Sequence, residues 1–379
     1  MRPDRNAMDD FHALLKKQFE AGLIRGCLVL VGTPEKELFF HAEGWADLNK
    51  GNPLSRAALF DMASVTKAVG IGTLLAMLHQ EGKLDYQAPF TEYLPDFRTP
   101  LDNAPSVVQL ATHCSGICTD RSYDREVVNG SARLLDAMND LRFPEPPGSS
   151  YRYFCANYIL LGMIVENLAK EPLETLAEKR IFGPLRMTSS SWGIPLPACR
   201  EKLVHAGLVG THGEAPESAV PPEIWRLHQT DLLPSDETAR WALPRRIGNA
   251  GLFSTADDLA AFARWMLTRP FPEETWKWLA GNHAPAGLHR RSAGWDMEST
   301  PPFSEQTIFH TGWSGQTLWI DPEQQLFAMV LTNRRDWYAE EQAGRPGIRF
   351  EKYAEAKEGR FRLVKSLLDR DSLKQESRS

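Results

Sequence analysis

The 379-residue sequence has no run of uncharged apolar residues long enough to span a bilayer. Its first stretch, Met1 to Gly22, lacks the uninterrupted apolar segment of a secretory signal. A soluble, cytoplasmic protein without a membrane span is the expectation. Cysteine is scarce and odd in number: Cys27, Cys114, Cys118, Cys155 and Cys199 fit reduced thiols better than a disulfide framework. Cys114 and Cys118 have no second Cys or His pair at matching spacing, so they read as structural thiols rather than as a zinc site. An excess of positive charge is also missing. The 43 Lys and Arg are interspersed among 49 Asp and Glu, for a formal net charge of −6 and a pI near 6.0, which argues against a nucleic-acid partner. There is no internal repeat and no low-complexity tract. Gly248, Asn249 and Gly251 in GNAGLFST suit a tight turn, but no phosphate-binding glycine fingerprint follows them.

What is present is enough apolar material for a large core, since 42% of residues are hydrophobic. Asp9 to Gly22 carries Phe11, Leu14, Leu15 and Phe19 at helical spacing. Two short apolar runs around the turn TPEK predict a β-hairpin over roughly Gly26 to Ala46. Two or three further strands are expected in Gln306 to Asn333 around DPEQQ, followed by an amphipathic helix from FEKYAEAKEGRFRLVKSLLDR. Between these ends, helical patterns dominate: Ser64 to Glu81, Ser131 to Asn139, Ala156 to Lys170, Leu173 to Ile181 and Thr255 to Thr268. Pro195 to Arg246, rich in Pro, Gly and charge, reads as long surface loops. The predicted fold is α+β in three layers, an antiparallel sheet built from both chain ends and flanked by terminal helices, with a large inserted helical lobe. A single domain over 1–379 is expected, its α/β lobe near 8–63 plus 285–370 and its helical lobe near 64–284.

Ser64 and Lys67 stand three positions apart at the start of the first internal helical pattern. That spacing stacks them on one helical face within hydrogen-bond reach. Burial and the positive end of the helix macrodipole would lower the lysine pKa toward that of a useful base. The unpaired N–H groups of the same terminus could receive an oxyanion. The competing reading is an N-cap serine and a solvated lysine, and S-x-x-K alone does not exclude it.

Several ordered blocks do more. The stretch Leu59 to Phe97, which contains Ser64-Val65-Thr66-Lys67, resembles the first block of the serine β-lactamase and penicillin-binding-protein superfamily, particularly its class C-like esterases and DD-peptidases. Val107 to Ile117, Gly251 to Leu267 and Phe309 to Arg334 are similar to later blocks in the same order, so the resemblance runs from about Gly26 to Arg334. It implies the β-lactamase/DD-peptidase-like fold, acylation of Ser64, and Lys67 with Tyr153 as proton carriers. The family's Y-x-N motif falls on Tyr153-Phe154-Cys155, with cysteine in place of asparagine, and Tyr151 competes for the tyrosine role. Asn157 could substitute for the missing carboxamide if the turn is rearranged. Cys155 is read as a small filler at the substrate site rather than as the nucleophile, because nothing sets a base against it as Lys67 is set against Ser64.

The third motif is His310-Thr311-Gly312, with histidine where many relatives have lysine. By the resemblance it flanks the nucleophile. The N–H of Trp313 joins that of Ser64 as the oxyanion hole, Gly312 permits close approach, and His310 assists with less fixed charge than lysine. Ser115 is expected at the cleft rim, and His113 braces its loop. Trp225, Trp241, Trp313 and Trp337 could wall an apolar pocket, although tryptophans are mostly core. AGWDMEST resembles a segment beside the family's site and receives no chemistry.

The functional expectation is a serine hydrolase working through an acyl-enzyme, without metal or organic cofactor, on a small-molecule substrate. A carboxylesterase on small or medium acyl esters comes first, since the loss of a carboxamide at Cys155 weakens amide or β-lactam recognition. DD-peptidase or β-lactamase action is the alternative. A catalytically weak protein that binds an acyl ligand or a partner is a reading of another class.

Overall fold

Side-chain alternation along five strands decides how the layers form. The structure is a computed structural model and describes residues 4–46, 51–98, 102–118, 134–139, 141–204, 232–334 and 348–368. Helix α1 (Arg5–Glu20) is capped by Asp4, whose carboxylate accepts the Ala7 N–H at 2.8 Å. It leads into the antiparallel hairpin of β1 (Ile24–Gly32) and β2 (Glu37–Gly44). After β3 (Phe60–Asp61) come a π-helical turn (Lys67–Gly72) and α2 (Thr73–Gln80). The middle of the chain adds α3 (Val107–Ala111), α4 (Leu134–Asn139), α5 (Ala156–Ala169) and α6 (Leu173–Ala177). It continues with β4 (Ser191–Trp192), α7 (Glu237–Ala242), β5 (Leu252–Ser254), α8 (Ala256–Leu267) and α9 (Glu273–Ala280). Strands β6 (Ile308–Thr311), β7 (Gln316–Asp321) and β8 (Leu326–Arg334) and helix α10 (Ile348–Leu368) follow.

The main sheet has the order β2-β1-β8-β7-β6, with every pair antiparallel. Its two outer strands on one side come from the N-terminal part of the chain and the other three from the C-terminal part, joined where Val29 pairs with Val330. Along β1, Leu28 and Leu30 enter the core shared with α2, α5 and α8, whereas Cys27, Val29 and Val31 enter a second core under α1 and α10. β7 and β8 divide in the same way, Leu318, Ile320, Met329 and Leu331 against Trp319, Ala328 and Val330. A slip of one residue would exchange both sets, and each fully buried side chain of this size is worth about 1.5–3 kcal/mol, so the register is strongly fixed. The result is the mixed helix and antiparallel-sheet fold read from the sequence.

Some elements differ from expectation. The helix after Ser64 is not α-helical throughout, because Lys67–Gly72 winds as a π turn. Small residues allow it to pack closely: a Cβ on Gly70 would lie 2.6 Å from the Trp192 ring, and one on Gly72 3.0 Å from the Ala293 carbonyl. Gly82 takes a left-handed φ of +68° and ends α2, with the Lys83 N–H bonding the Leu78 carbonyl and its own N–H that of His79. A second sheet, β3-β5-β4, joins residues 60–61, 252–254 and 191–192, and α9 adds a helix that the periodicity did not announce. The expected loops over 195–246 contain α7, and residues 205–231 lie outside the described part. Among the described residues no helix is long and apolar enough to cross a membrane.

Candidate active site

The turn that carries Ser64 is built by its neighbours. Asp61, buried at the end of β3, accepts the Ala63 N–H at 2.9 Å, the Ser235 N–H at 2.7 Å and the Ser235 hydroxyl at 2.5 Å. Burial raises its pKa, and the Ser235 bonds work against that shift. Ala63 is held at φ +44°, a left-handed conformation costing an L-residue roughly 1–2 kcal/mol. Its carbonyl accepts the Thr66 hydroxyl at 2.5 Å. Ser64 thus opens the helix from a constrained corner, half-buried, with its neighbours Ala63 and Val65 in the core.

Lys67 is fully buried, and its Nζ donates to Ser64 Oγ at 2.9 Å and to the Asn249 carbonyl at 2.7 Å. Burial is the largest influence on it and disfavours the ammonium. The ionisable side chains of Cys155 and Tyr153, with the Asp236 carboxylate behind them, outweigh burial and carry Lys67 above the ordinary lysine value. Lys67 therefore lies above the ordinary lysine value, against the lowering expected from burial and the helix terminus. Asp236 is held there by accepting the Asn249 amide at 3.0 Å and by capping α7.

Tyr153 reaches the same point. Its ring centroid lies 5.3 Å from Lys67 Nζ, and the Ser64 and Lys67 side chains are among the groups that act on its phenol. Tyr153 is 41% exposed, and desolvation raises its phenol pKa against the pull of Lys67 and Ser64. Tyr151 instead stacks on His289 at 4.5 Å, so geometry places Tyr153 beside Ser64. His113, at φ +59° and 1% exposed, packs against Tyr153 with ring centroids 4.3 Å apart and planes tilted by 38°, and accepts the Phe154 N–H at 3.2 Å. It braces the Tyr153 loop, and burial holds its pKa well below the usual histidine range.

Cys155 stands half-buried beside Lys67 and Asn249, its thiol pushed up by burial and therefore protonated. Asn157 does not replace the absent carboxamide: it accepts the Ser115 hydroxyl at 2.6 Å and donates to the Phe154 carbonyl at 3.1 Å. Ser115 is 1% exposed, with its hydroxyl donated to Asn157.

The His310-Thr311-Gly312 strand end abuts the Ser64 corner. A Cβ on Gly312 would lie 2.7 Å from the Met62 carbonyl and 3.4 Å from the Ala63 Cβ, so the glycine answers to the turn itself. The Ser314 hydroxyl donates to the Asp61 carbonyl at 3.0 Å, and Thr311 and Trp313 flank the contact. Trp313 stacks on Tyr353 at 4.2 Å, Trp241 is buried in α7, and Trp225 and Trp337 lie outside the described residues. His310 bonds the Thr311 carbonyl through Nδ1 at 2.9 Å. Burial, with Arg291 and Lys67 nearby, keeps it well below the usual histidine pKa. The neutral ring thus carries its proton on Nδ1 and its lone pair on a buried Nε2.

Arg291 is the residue that sequence reasoning missed. It is 1% exposed, with its guanidinium carbon 5.8 Å from the Tyr153 ring centroid and Nη1 3.3 Å from Asp296. Against the cost of burial, the His289 hydrogen bond at 3.0 Å and Arg291 hold Asp296 down at about 2. Nothing local distinguishes Arg291 from Arg290; packing alone brings it in. Asn249, read only as a turn residue, and Asp236 enter in the same way.

Known proteins resemble this chain in sequence and in fold. A family described as Beta-lactamase matches residues 11–351. An Escherichia coli (strain K12) protein named "Putative D-alanyl-D-alanine carboxypeptidase" is 28% identical over 302 residues, 73% of this chain and 69% of that protein. Its Salmonella typhimurium counterpart is 26% identical over the same shares. Among solved structures, EstCE1, titled a hydrolase with promiscuous acyltransferase activity, shares the fold at TM-score 0.66 and 19% identity, over 93% of this chain and 98% of that one. The octameric penicillin-binding protein homologue from Pyrococcus abyssi does so at TM-score 0.67 and 18% identity, over 89% and 77%. The chain belongs to the Beta-lactamase family, as a serine hydrolase of that family.

Proposed function

We propose that this protein is a carboxylesterase that acylates Ser64, acting on small or medium acyl esters. The observation that carries the reading is the bond from Lys67 Nζ to Ser64 Oγ at 2.9 Å, with the Tyr153 ring centroid 5.3 Å from the same Nζ. Lys67 keeps its proton and stabilises the Tyr153 phenolate, which is the base. Ser64 Oγ attacks the acyl carbon while its proton passes to the Tyr153 oxygen. The N–H groups of Ser64 and Trp313 receive the oxyanion, and the alcohol leaves with the proton from Tyr153. Water then attacks the acyl carbon, gives a proton to Tyr153, and Ser64 departs with it.

Preference for an ester over an amide rests on Cys155. Where relatives present a carboxamide able to donate and accept, a neutral thiol stands, and Asn157 is committed to Ser115 and Phe154. An alcohol is a better leaving group than an amine and needs less orientation. The name of the E. coli relative favours a second reading, D-alanyl-D-alanine carboxypeptidase action. Five free thiols support a reducing, cytoplasmic setting.

Labelling with a fluorophosphonate and with a fluorescent penicillin, followed by mass spectrometry and a panel of aryl esters, tests the reading. Label on Ser64, lost in Ser64→Ala together with ester turnover, is expected. Penicillin label without ester turnover would replace the first reading by the second, and no label with no turnover would remove both.

A further inference from the structure

A cluster with metal-ligating chemistry lies far from Ser64, in the layer where α1 covers the sheet. On β2, His41 pairs with Val29 and Glu43 with Cys27, so both share the strand face that meets the core under α1 and α10. An apolar pattern would be expected on that face; here the alternation presents imidazole and carboxylate. From α1, His12 follows the buried Phe11 and meets them: its ring centroid is 5.2 Å from that of His41, nearly edge-on. His41 Nε2 is 3.0 Å from Glu43 Oε2, and one ligand atom from each of His12, His41 and Glu43 lies within 4.8 Å of the others.

We propose that His12, His41 and Glu43 bind a divalent transition-metal ion, zinc above all, which ties α1 to the edge strand β2. Metal–nitrogen bonds of about 2.0–2.1 Å at tetrahedral angles set donors roughly 3.3 Å apart, so the three groups need only small side-chain rotations to close on one ion. Two imidazoles among three donors select zinc, nickel or copper over magnesium or calcium, which demand oxygen. The carboxylate offsets part of the ion's charge. Three protein ligands leave a fourth position, and His12 and Glu43 also line a groove of about 950 Å³ with Phe19 and Trp45, through which water or an anionic ligand reaches it.

His41 is already held in place, with Phe11 edge-on at 5.2 Å and Phe39 stacked at 6.4 Å. That packing fixes one donor before any ion arrives. The site owes nothing to the acyl-transfer machinery, since none of its residues contacts Ser64, Lys67 or Tyr153 in the arrangement above. Its ligands join an element at the start of the chain to the outermost strand. Bound metal would therefore resist peeling of α1 and β2 in particular.

The experiment uses untagged, chelator-stripped full chain, titrated with zinc by calorimetry and with cobalt(II) in the visible range. One equivalent of zinc should bind, raise Tm, and be matched by cobalt d–d bands without thiolate charge transfer. His12→Ala and Glu43→Gln change exposed side chains and should weaken zinc binding by more than the 10- to 100-fold typical of losing an outer-shell partner. Ser64 labelling should be unchanged in both, which shows that they remain folded. Wild-type protein that takes no zinc, variants that bind it as well as wild type, or a cobalt spectrum with thiolate bands would each overturn the site. In the first case His41 and Glu43 would serve only as inward-pointing polar groups that blunt a sheet edge.

Discussion

The Arg291 guanidinium carbon lies 5.8 Å from the centre of the Tyr153 ring, closely matching the 5.3 Å from Lys67 Nζ to the same ring. Tyr153 is therefore flanked by two buried cations, of which only one touches Ser64. Both favour its phenolate, and both oppose protonation of His310. Arg291→Met combined with Asp296→Asn removes this field without stranding a buried carboxylate. The rising limb of kcat/KM should move to higher pH by about one unit, with a roughly tenfold loss at neutral pH. An unchanged pH profile alongside a lowered Tm would assign Arg291 a purely structural part.

Tyr153 sets a pH dependence whose sign follows from its shift. Burial lifts the phenol above its ordinary value, so the deprotonated base is a minor species at neutral pH and grows about tenfold per pH unit. Ester kcat/KM should rise with pH through the neutral and mildly alkaline range. In Tyr153→Phe the rise should disappear together with most of the activity. A flat profile in wild type would point to a base other than this phenol.

Cys155→Asn restores a carboxamide beside Lys67. A hydrogen bond to a charged partner is worth about 1.5–3 kcal/mol, so acylation by penicillin should accelerate tenfold or more, while aryl-ester turnover changes less. Stopped-flow labelling with fluorescent penicillin measures the first rate. Equal effects on both substrates would remove the explanation of ester preference given by this position.

Gly312 reports how tightly the strand end fits the Ser64 corner. In Gly312→Ala the new methyl meets the Met62 carbonyl at 2.7 Å and Gln316 Oε1 at 2.8 Å, and both are fixed by the sheet and the turn. The strand must retreat from Ser64. A displacement near 1 Å costs about 100-fold in rate. Far-UV circular dichroism should stay unchanged while kcat falls by that order.

Much of the architecture was legible because it is periodic. Apolar runs in β1, β7 and β8, covered on both faces, and helical spacing in α1 and α8 declare buried elements, whichever partner covers them. Strands of two or three residues, such as β3, β4 and β5, are too short to carry a period, and the second sheet was invisible for that reason. At the site, Ser64 and Lys67 are neighbours in sequence, so their contact could be read directly. Asn249, Asp236 and Arg291 arrive from segments more than 150 positions away, and no local pattern marks them. The sense of the Lys67 shift was misread because burial and a helix terminus are local properties, whereas the acids that outweigh them come from several elements.

The pairing of β1 with β8 also bears on how the protein is made. Leu28 leaves the ribosome some 300 residues before its partner Leu331, an interval of roughly 15 to 60 s at ordinary elongation rates. During that time β1 has only the β2 side of its ladder, and the corner that presents Ser64 lacks the strand of Gly312. A nascent or truncated chain thus holds Ser64 and Lys67 without the strand end that packs against their turn. Competence as a hydrolase comes late in synthesis, and until then the exposed edge of β1 is the part of the molecule most in need of a chaperone.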